Sequence, residues 1–214
     1  MSVDAKTVMK LRAETSAGMM DCKKALVETG GDFEKAKDLI RAALGKQAQK
    51  KGGRKVKEGV MGVYVHHDNK LAAMVEVLCE TDFVAMNEKF QALAKNLAMH
   101  CAAANPAPIY LTRDEVPADI VERESAIFRE QVKDKPEQIQ DKIIEGKMKS
   151  FYATCVLLDQ EYAMDTSMGT VADVLTHAKS KAGFGENTVI RRFARWSIGD
   201  DIPTPGASDE NDDE

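Results

Sequence analysis

At 214 residues, 43% of them hydrophobic and 30% charged, with a formal net charge of -5, the chain can bury the core of one large or two smaller domains. That charge excludes a molecule that binds nucleic acid electrostatically over its whole surface, so any RNA role needs a local basic patch. The start MSVDAKTVMK carries no apolar h-region or Arg-rich presequence, and no window reaches the roughly 18 apolar residues that span a bilayer, so no membrane contact and a cytoplasmic location are expected.

The chain opens with three predicted short helices, Asp4 to Thr15, Met19 to Thr29 and Asp32 to Ala43. Asp32 is placed to cap the third, which carries Phe33, Ala36, Leu39, Ile40 and Ala43 along one buried face. Gly18 and the pair Gly30-Gly31 fall between the helices, where positive φ is cheap and the chain can turn back on itself. Residues 1–45 therefore read as a compact three-helix unit. From Gly45 to Gly59 the run GKQAQKKGGRKVKEG loses its apolar period and gathers Lys46, Lys50, Lys51, Arg54, Lys55 and Lys57 around two adjacent glycines. A solvated, flexible basic linker is expected over 46–58, with contact to ribosomal RNA or an acidic surface as its functional alternative.

Val60 to His66 and Leu71 to Cys79 are valine-rich and separated by His67-Asp68-Asn69-Lys70, the pattern of a β-hairpin. The segment Asn87 to Ala104 sets Phe90, Leu93, Ala94, Leu97, Ala98 and Cys101 at helical spacing before Asn105-Pro106 ends the run. Two more helices are predicted on either side of Lys135-Pro136, one over Pro117 to Val132 with Ile120, Ile127 and Phe128, the next with Ile139, Ile143, Phe151 and Cys155. Together they read as a helical hairpin. Leu157 and Leu158 begin an extended piece, Thr170 caps a short helix with Val171, Val174 and Leu175, and Thr188 to Ile198 alternates as a strand. The pattern is α+β, with a core over 59–200 and an acidic tail at 201–214 too poor in apolar groups to fold.

The chemistry these residues exclude is as informative as the elements. No P-loop is present: Gly146-Lys147 is followed by Met148, and Gly183 and Gly185 lack the third glycine of a dinucleotide loop, so neither nucleotide nor cofactor binding is expected. His66 and His67 are neighbours on a predicted strand and should point to opposite faces, which argues against a shared metal ion. His100 and Cys101, adjacent on a helix, diverge by about 100 degrees and make a poor base and nucleophile. Glu122, Glu124 and Glu130 are scattered on a charged helix face. Cys22, Cys79, Cys101 and Cys155 are widely separated within apolar patterns, as reduced core residues are. With no catalytic residue to nominate, a binding or regulatory protein is favoured over an enzyme.

Two stretches, Leu11 to Leu26 (LRAETSAGMMDCKKAL) and Glu80 to Asn87 (ETDFVAMN), closely resemble the elongation factor Ts family, and further matches run through LAMHCAAANP, KIIEGKMKSF and RRFARWSIGDD. The resemblance spans nearly the whole chain except the tail. It implies an N-terminal ubiquitin-associated-like (UBA-like) module, a basic linker and a dimerisation-type α+β core on a three-stranded antiparallel sheet. Because the TDFV segment runs directly into the LAMH segment, the chain looks like the short form with a single core subdomain. The implied function is that of a translation elongation factor: a nucleotide exchange factor that binds elongation factor Tu, GDP-bound or nucleotide-free, and promotes GDP release by disturbing the partner's magnesium and phosphate site. It further implies that Thr81, Asp82, Phe83 and Val84 press against the GTPase beside its nucleotide, with the Phe83 ring intruding, and that Leu11, Arg12, Met19 and Met20 dock on its GTP-binding domain. A homodimer within a two-to-two complex is left open.

Plainer roles compete for the same residues. Phe83 precedes Phe90 by seven positions, so an earlier start of that helix would put its ring in the core. Thr81 or Asp82 could be a helix N-cap. Met19 and Met20 could fill a small core, although adjacent positions cannot both face inward, so one should be exposed. The rival functions are a UBA-like adaptor fused to an unrelated domain, without exchange activity, and an RNA-binding accessory acting through Lys46 to Lys57.

Overall fold

A computed structural model describes residues 4–15, 17–180 and 183–199, residues 47, 48, 137 and 138 by their backbone alone. The acidic tail lies outside the described residues. The N-terminal helices are α1 (Ala5–Thr15), α2 (Met19–Glu28) and α3 (Phe33–Gly52). They close on a small core of Val8, Leu11, Ala17, Cys22, Ala25, Leu26, Ala36 and Ile40. Gly30 and Gly31, with φ of 65° and 91°, turn α2 back into α3, and the Asp32 side chain accepts from the Lys35 amide at 3.1 Å to start the third helix. Gly18 needs no such freedom: its φ is -60° and it serves as the N-cap of α2.

The third helix departs from expectation. Residues 46–52, read as the start of a solvated linker, continue α3. The physical reason lies far along the chain: Lys51 Nζ donates to the carbonyls of Lys179 and Gly185 at 2.8 and 2.6 Å, and Asn187 Nδ2 donates to the carbonyls of Gly52 and Arg54 at 3.3 and 2.9 Å. Partners more than a hundred residues away thus satisfy a stretch with no apolar face of its own. Residues 53–57 alone separate α3 from the sheet.

That sheet is antiparallel, three-stranded and ordered β1 (Glu58–Val65), β2 (Leu71–Cys79), β3 (Val189–Ser197). The β1–β2 turn is set by Asn69 at φ 59°, and Met74 of β2 faces Val63 on one side and Ala194 on the other. Ala73, Val75, Val77 and Cys79 alternate to the inner face, where α5 (Glu88–Ala103) covers them with Phe90, Ala94, Leu97, Ala98 and Cys101. The helix lies close: a Cβ on Gly62 would stand 2.0 Å from the Ala94 carbonyl oxygen, so only glycine fits there.

Beyond α5, α6 (Ala118–Gln131) and α7 (Glu137–Cys155) form the helical hairpin, anchored by a small cluster of Val116, Cys155 and Val156. No residue of α6 is fully buried. The extended piece expected at Leu157 and Leu158 is instead a 3-10 turn over Leu157–Asp159, closed by the Asp159 amide on the Val156 carbonyl at 3.0 Å. The Leu157 amide still bonds Tyr110 O at 2.8 Å, so a single bridge takes the place of a strand and sends Leu157 into the core. A capping box of Thr170 and Asp173 opens α8 (Val171–Lys179), which buries Val171, Val174, Leu175 and Ala178. All four cysteines are free and buried.

Candidate partner-binding site

Between β2 and α5 the chain makes one further helical turn, α4 (Asp82–Ala85). Thr81 starts it: in extended conformation, its Oγ1 accepts from the Val84 amide at 3.4 Å. The Asp82 carboxylate accepts from the Phe83 amide at 2.9 Å and stays exposed. Met86 then breaks the helix, and Asn87 caps the next one by accepting from the Lys89 amide at 2.9 Å. Because α4 and α5 are separate helices, Phe83 does not join the buried stripe of Phe90. Its side chain is 83% exposed, and Met86 stands exposed nearby. Val84 packs partly against the core and Ala85 is buried. The turn thus presents Asp82 and Phe83 outward and is held by Thr81 and Val84.

What holds the turn from behind comes from the loop before β3. Glu186 Oε2 accepts from the amides of Glu80 and Thr81 at 3.1 and 3.0 Å, and its Oε1 accepts from Thr81 Oγ1 at 2.7 Å. Glu80 answers by accepting from the Asn187 amide at 2.6 Å, and Arg54 pairs with Glu80 at 3.4 Å. Sequence reading passed over Glu186 and Asn187, treating that loop only as an incomplete dinucleotide motif. No periodicity marks a polar residue whose partners lie about a hundred positions away.

The N-terminal candidates divide in the same way. Leu11 is wholly buried in the module's core, so its side chain cannot itself touch a partner. Arg12 is exposed. Both Met19 and Met20 are exposed, at 44% and 63%, where one was expected, because Cys22, Ala25 and Leu26 already fill the inward face of α2. They sit with exposed Met9 and Val27 on the same small module.

The remaining chemical candidates fold into structural roles. His100 is buried, its Nδ1 accepting from the Ala163 amide at 3.2 Å, and burial lowers its pKa. Burial likewise pushes the Cys101 thiol up to about 12 and, with Glu186 beside it, that of Cys79 to about 11, so neither is a thiolate near neutral pH. His66 and His67 do not point to opposite faces: β1 ends at Val65, and in the turn that follows the two rings lie 4.2 Å apart. His66 Nδ1 bonds the Tyr64 hydroxyl at 2.9 Å. Among the described residues no three His, Cys, Asp or Glu side chains group as metal ligands, and no helix is long and apolar enough to cross a membrane.

The family model described as "Elongation factor TS" matches residues 4–200. A curated protein named Elongation factor Ts from Fervidobacterium nodosum is 48% identical over 202 residues, covering 94% of this chain and 100% of its own length. One of the same name from Geobacter metallireducens is 50% identical over 204 residues, with 94% and 92% covered. A third, from Thermodesulfovibrio yellowstonii, is 44% identical over 200 residues, with 93% and 98% covered.

Proposed function

The chain belongs to the elongation factor Ts family, a family of translation elongation factors, and from that premise we propose that it binds elongation factor Tu and speeds the release of its GDP. The observation that carries the reading is Phe83: a large apolar side chain, 83% exposed, on a turn fixed to the core at both ends. Leaving such a ring in water forgoes the burial that stabilises most aromatic residues, and with exposed Met86 beside it the turn offers an apolar surface that a partner can cover.

The mechanism is a coupling between two binding events. GDP on the GTPase is held in part by a magnesium ion that offsets phosphate charge, and a side chain that disturbs the ion's surroundings weakens nucleotide binding. Reciprocity then requires the exchange factor to bind the empty GTPase more tightly than the GDP-bound form. Phe83 acts as the wedge and Asp82 adds a negative charge beside it, while Thr81 and Val84 set the turn on the core. The UBA-like module of residues 1–45 makes a second contact through Arg12, Met19 and Met20, with Leu11 holding α1 in shape behind them. This protein needs no nucleotide, metal or cofactor of its own, catalyses no covalent step, and works in the cytoplasm.

The outer face of the sheet carries a homodimer in the same reading. Met61, Val63, Val65 and Trp196 are exposed there, and the ladder aligns Val65 with Ala72 and Ala72 with Trp196. A second copy seated on this face covers an apolar strip otherwise left in water and gives a two-to-two complex with the GTPase. The deciding experiment is stopped-flow release of a fluorescent GDP from elongation factor Tu, with and without this protein. Acceleration that saturates with its concentration is expected, and an unchanged rate overturns the reading.

A further inference from the structure

We propose that Glu186 is the positioning residue of the Phe83 wedge, and that the loop of residues 183–188 joins the wedge to helix α3 of the N-terminal module. The proposal rests on the exchange-factor reading of Phe83. Its own ground is the bonding of a loop that lies 105 residues from the turn it holds.

The 81–84 turn is anchored at its exit by Val84, which packs on the core, and by buried Ala85, whereas its entry depends on hydrogen bonds. It is a single helical turn, too short to be stable alone, and its most prominent side chain faces water. Its register on the core comes from Glu186, whose two carboxylate oxygens take three donors at the turn's entry: the Glu80 amide, the Thr81 amide and the Thr81 hydroxyl. Thr81 is left facing so that its Oγ1 also caps Val84. One carboxylate therefore fixes the entry of the turn and the facing of Thr81, while Val84 and Ala85 seat its exit. Charge-assisted bonds of this kind are stronger and more directional than neutral ones.

The adjoining residues tie the same loop to the other half of the molecule. Asn187 is 2% exposed, and its side chain donates to the carbonyl of Gly52, the last residue of α3, and to that of Arg54 just beyond it. The Gly185 carbonyl receives Lys51 from that helix. Arg54, just past α3, reaches Glu80, which in turn accepts from the Asn187 amide. The end of α3, the loop and the wedge turn are thus one hydrogen-bonded joint. A partner gripped at both Met20 and Phe83 meets two contacts whose separation this joint fixes, so less ordering is needed on binding.

The test uses the full chain with Glu186→Ala, Glu186→Gln, Phe83→Ala and the Glu186→Ala/Phe83→Ala double variant. In the free protein, amide hydrogen exchange over residues 80–86 should quicken by about tenfold or more in Glu186→Ala, with protection of α5 and the sheet retained. The maximal rate of GDP release from elongation factor Tu should fall by about tenfold. Glu186→Gln keeps one acceptor and the fold, and should restore part of both. In the Phe83→Ala background, Glu186→Ala should cost nothing further, because it acts through that ring. Equal rate losses with and without Phe83, or unchanged protection of 80–86, overturn the proposal. A wild-type protein that leaves GDP release unchanged overturns the exchange reading instead, and amide exchange alone then decides whether Glu186 holds the turn.

Discussion

Replacing Phe83 by alanine separates function from stability. The ring is 83% exposed in the free protein, so its removal deletes almost no intramolecular packing, and the fold should change in stability by no more than about 0.5 kcal/mol. Against a partner the balance differs. An aromatic side chain buries about 150 to 250 Å², and at about 25 cal/mol per Å² that amounts to about 4 to 6 kcal/mol before the costs of binding. Immobilisation and imperfect fit reduce it, and a hot-spot loss of about 2 kcal/mol corresponds to roughly thirtyfold slower nucleotide release. The assay is stopped-flow dissociation of a fluorescent GDP from elongation factor Tu at saturating exchange factor, paired with thermal unfolding of the free variant. An unchanged release rate with an intact fold refutes the wedge. So does a melting temperature lowered by more than about 5 °C, since that would make Phe83 a structural residue.

Three further outcomes follow from the same geometry. Thr81→Ala removes an N-cap and a bond to Glu186 and should cost about 1–2 kcal/mol of stability in a denaturant titration, whereas Asp82→Ala loses one exposed local bond and should leave stability nearly unchanged while slowing exchange modestly; the reverse order of stabilities would mean that Asp82 is the cap. Leu11→Ala, in the small N-terminal core, should cost about 2–5 kcal/mol by circular dichroism melting, while Met20→Ala should leave melting unchanged and weaken binding to the GTPase by calorimetry. Burial lowers the pKa of His100 and His177 below the ordinary 6.5, so the unfolded chain binds the extra protons and stability should be flat above about pH 6.5 and fall below it. His100→Gln, which can still accept from the Ala163 amide, should soften that fall, and a protein more stable at about pH 5.5 than at about pH 7.5 contradicts the assignment.

Much of the architecture was legible residue by residue. Phe90, Ala94, Leu97, Ala98 and Cys101 recur at the helical period and lie buried on α5, while the alternating valines of β2 send Val75 and Val77 to the same core. Thr170 and Asp32, residues suited to capping, cap α8 and α3. In each case the signal is local, because the side chains that stabilise the element lie within a few positions of one another. Polar residues whose partners lie far along the chain gave no comparable signal. The end of α3 looked like a solvated tether because its lysines have no apolar face, and only the carbonyls of Lys179 and Gly185 explain Lys51. The two histidines after β1 were read as strand residues, and the strand's end at Val65 brings their rings together.

The candidate site divides along the same line. By themselves the residues in order determined the α+β pattern and, through the ETDFVAMN and LRAETSAGMMDCKKAL stretches, the family. Spacing alone pointed Phe83 toward the core, since seven residues is a helical repeat, and its 83% exposure overturns that reading. Folding settled its exposure: Asn87 begins a new helix, Thr81 begins the turn, and Glu186 reaches back across the chain to hold it. Short-range patterns report which face of a helix is apolar, whereas the direction of a single turn depends on hydrogen bonds between distant segments, and those exist only once the chain has closed on itself.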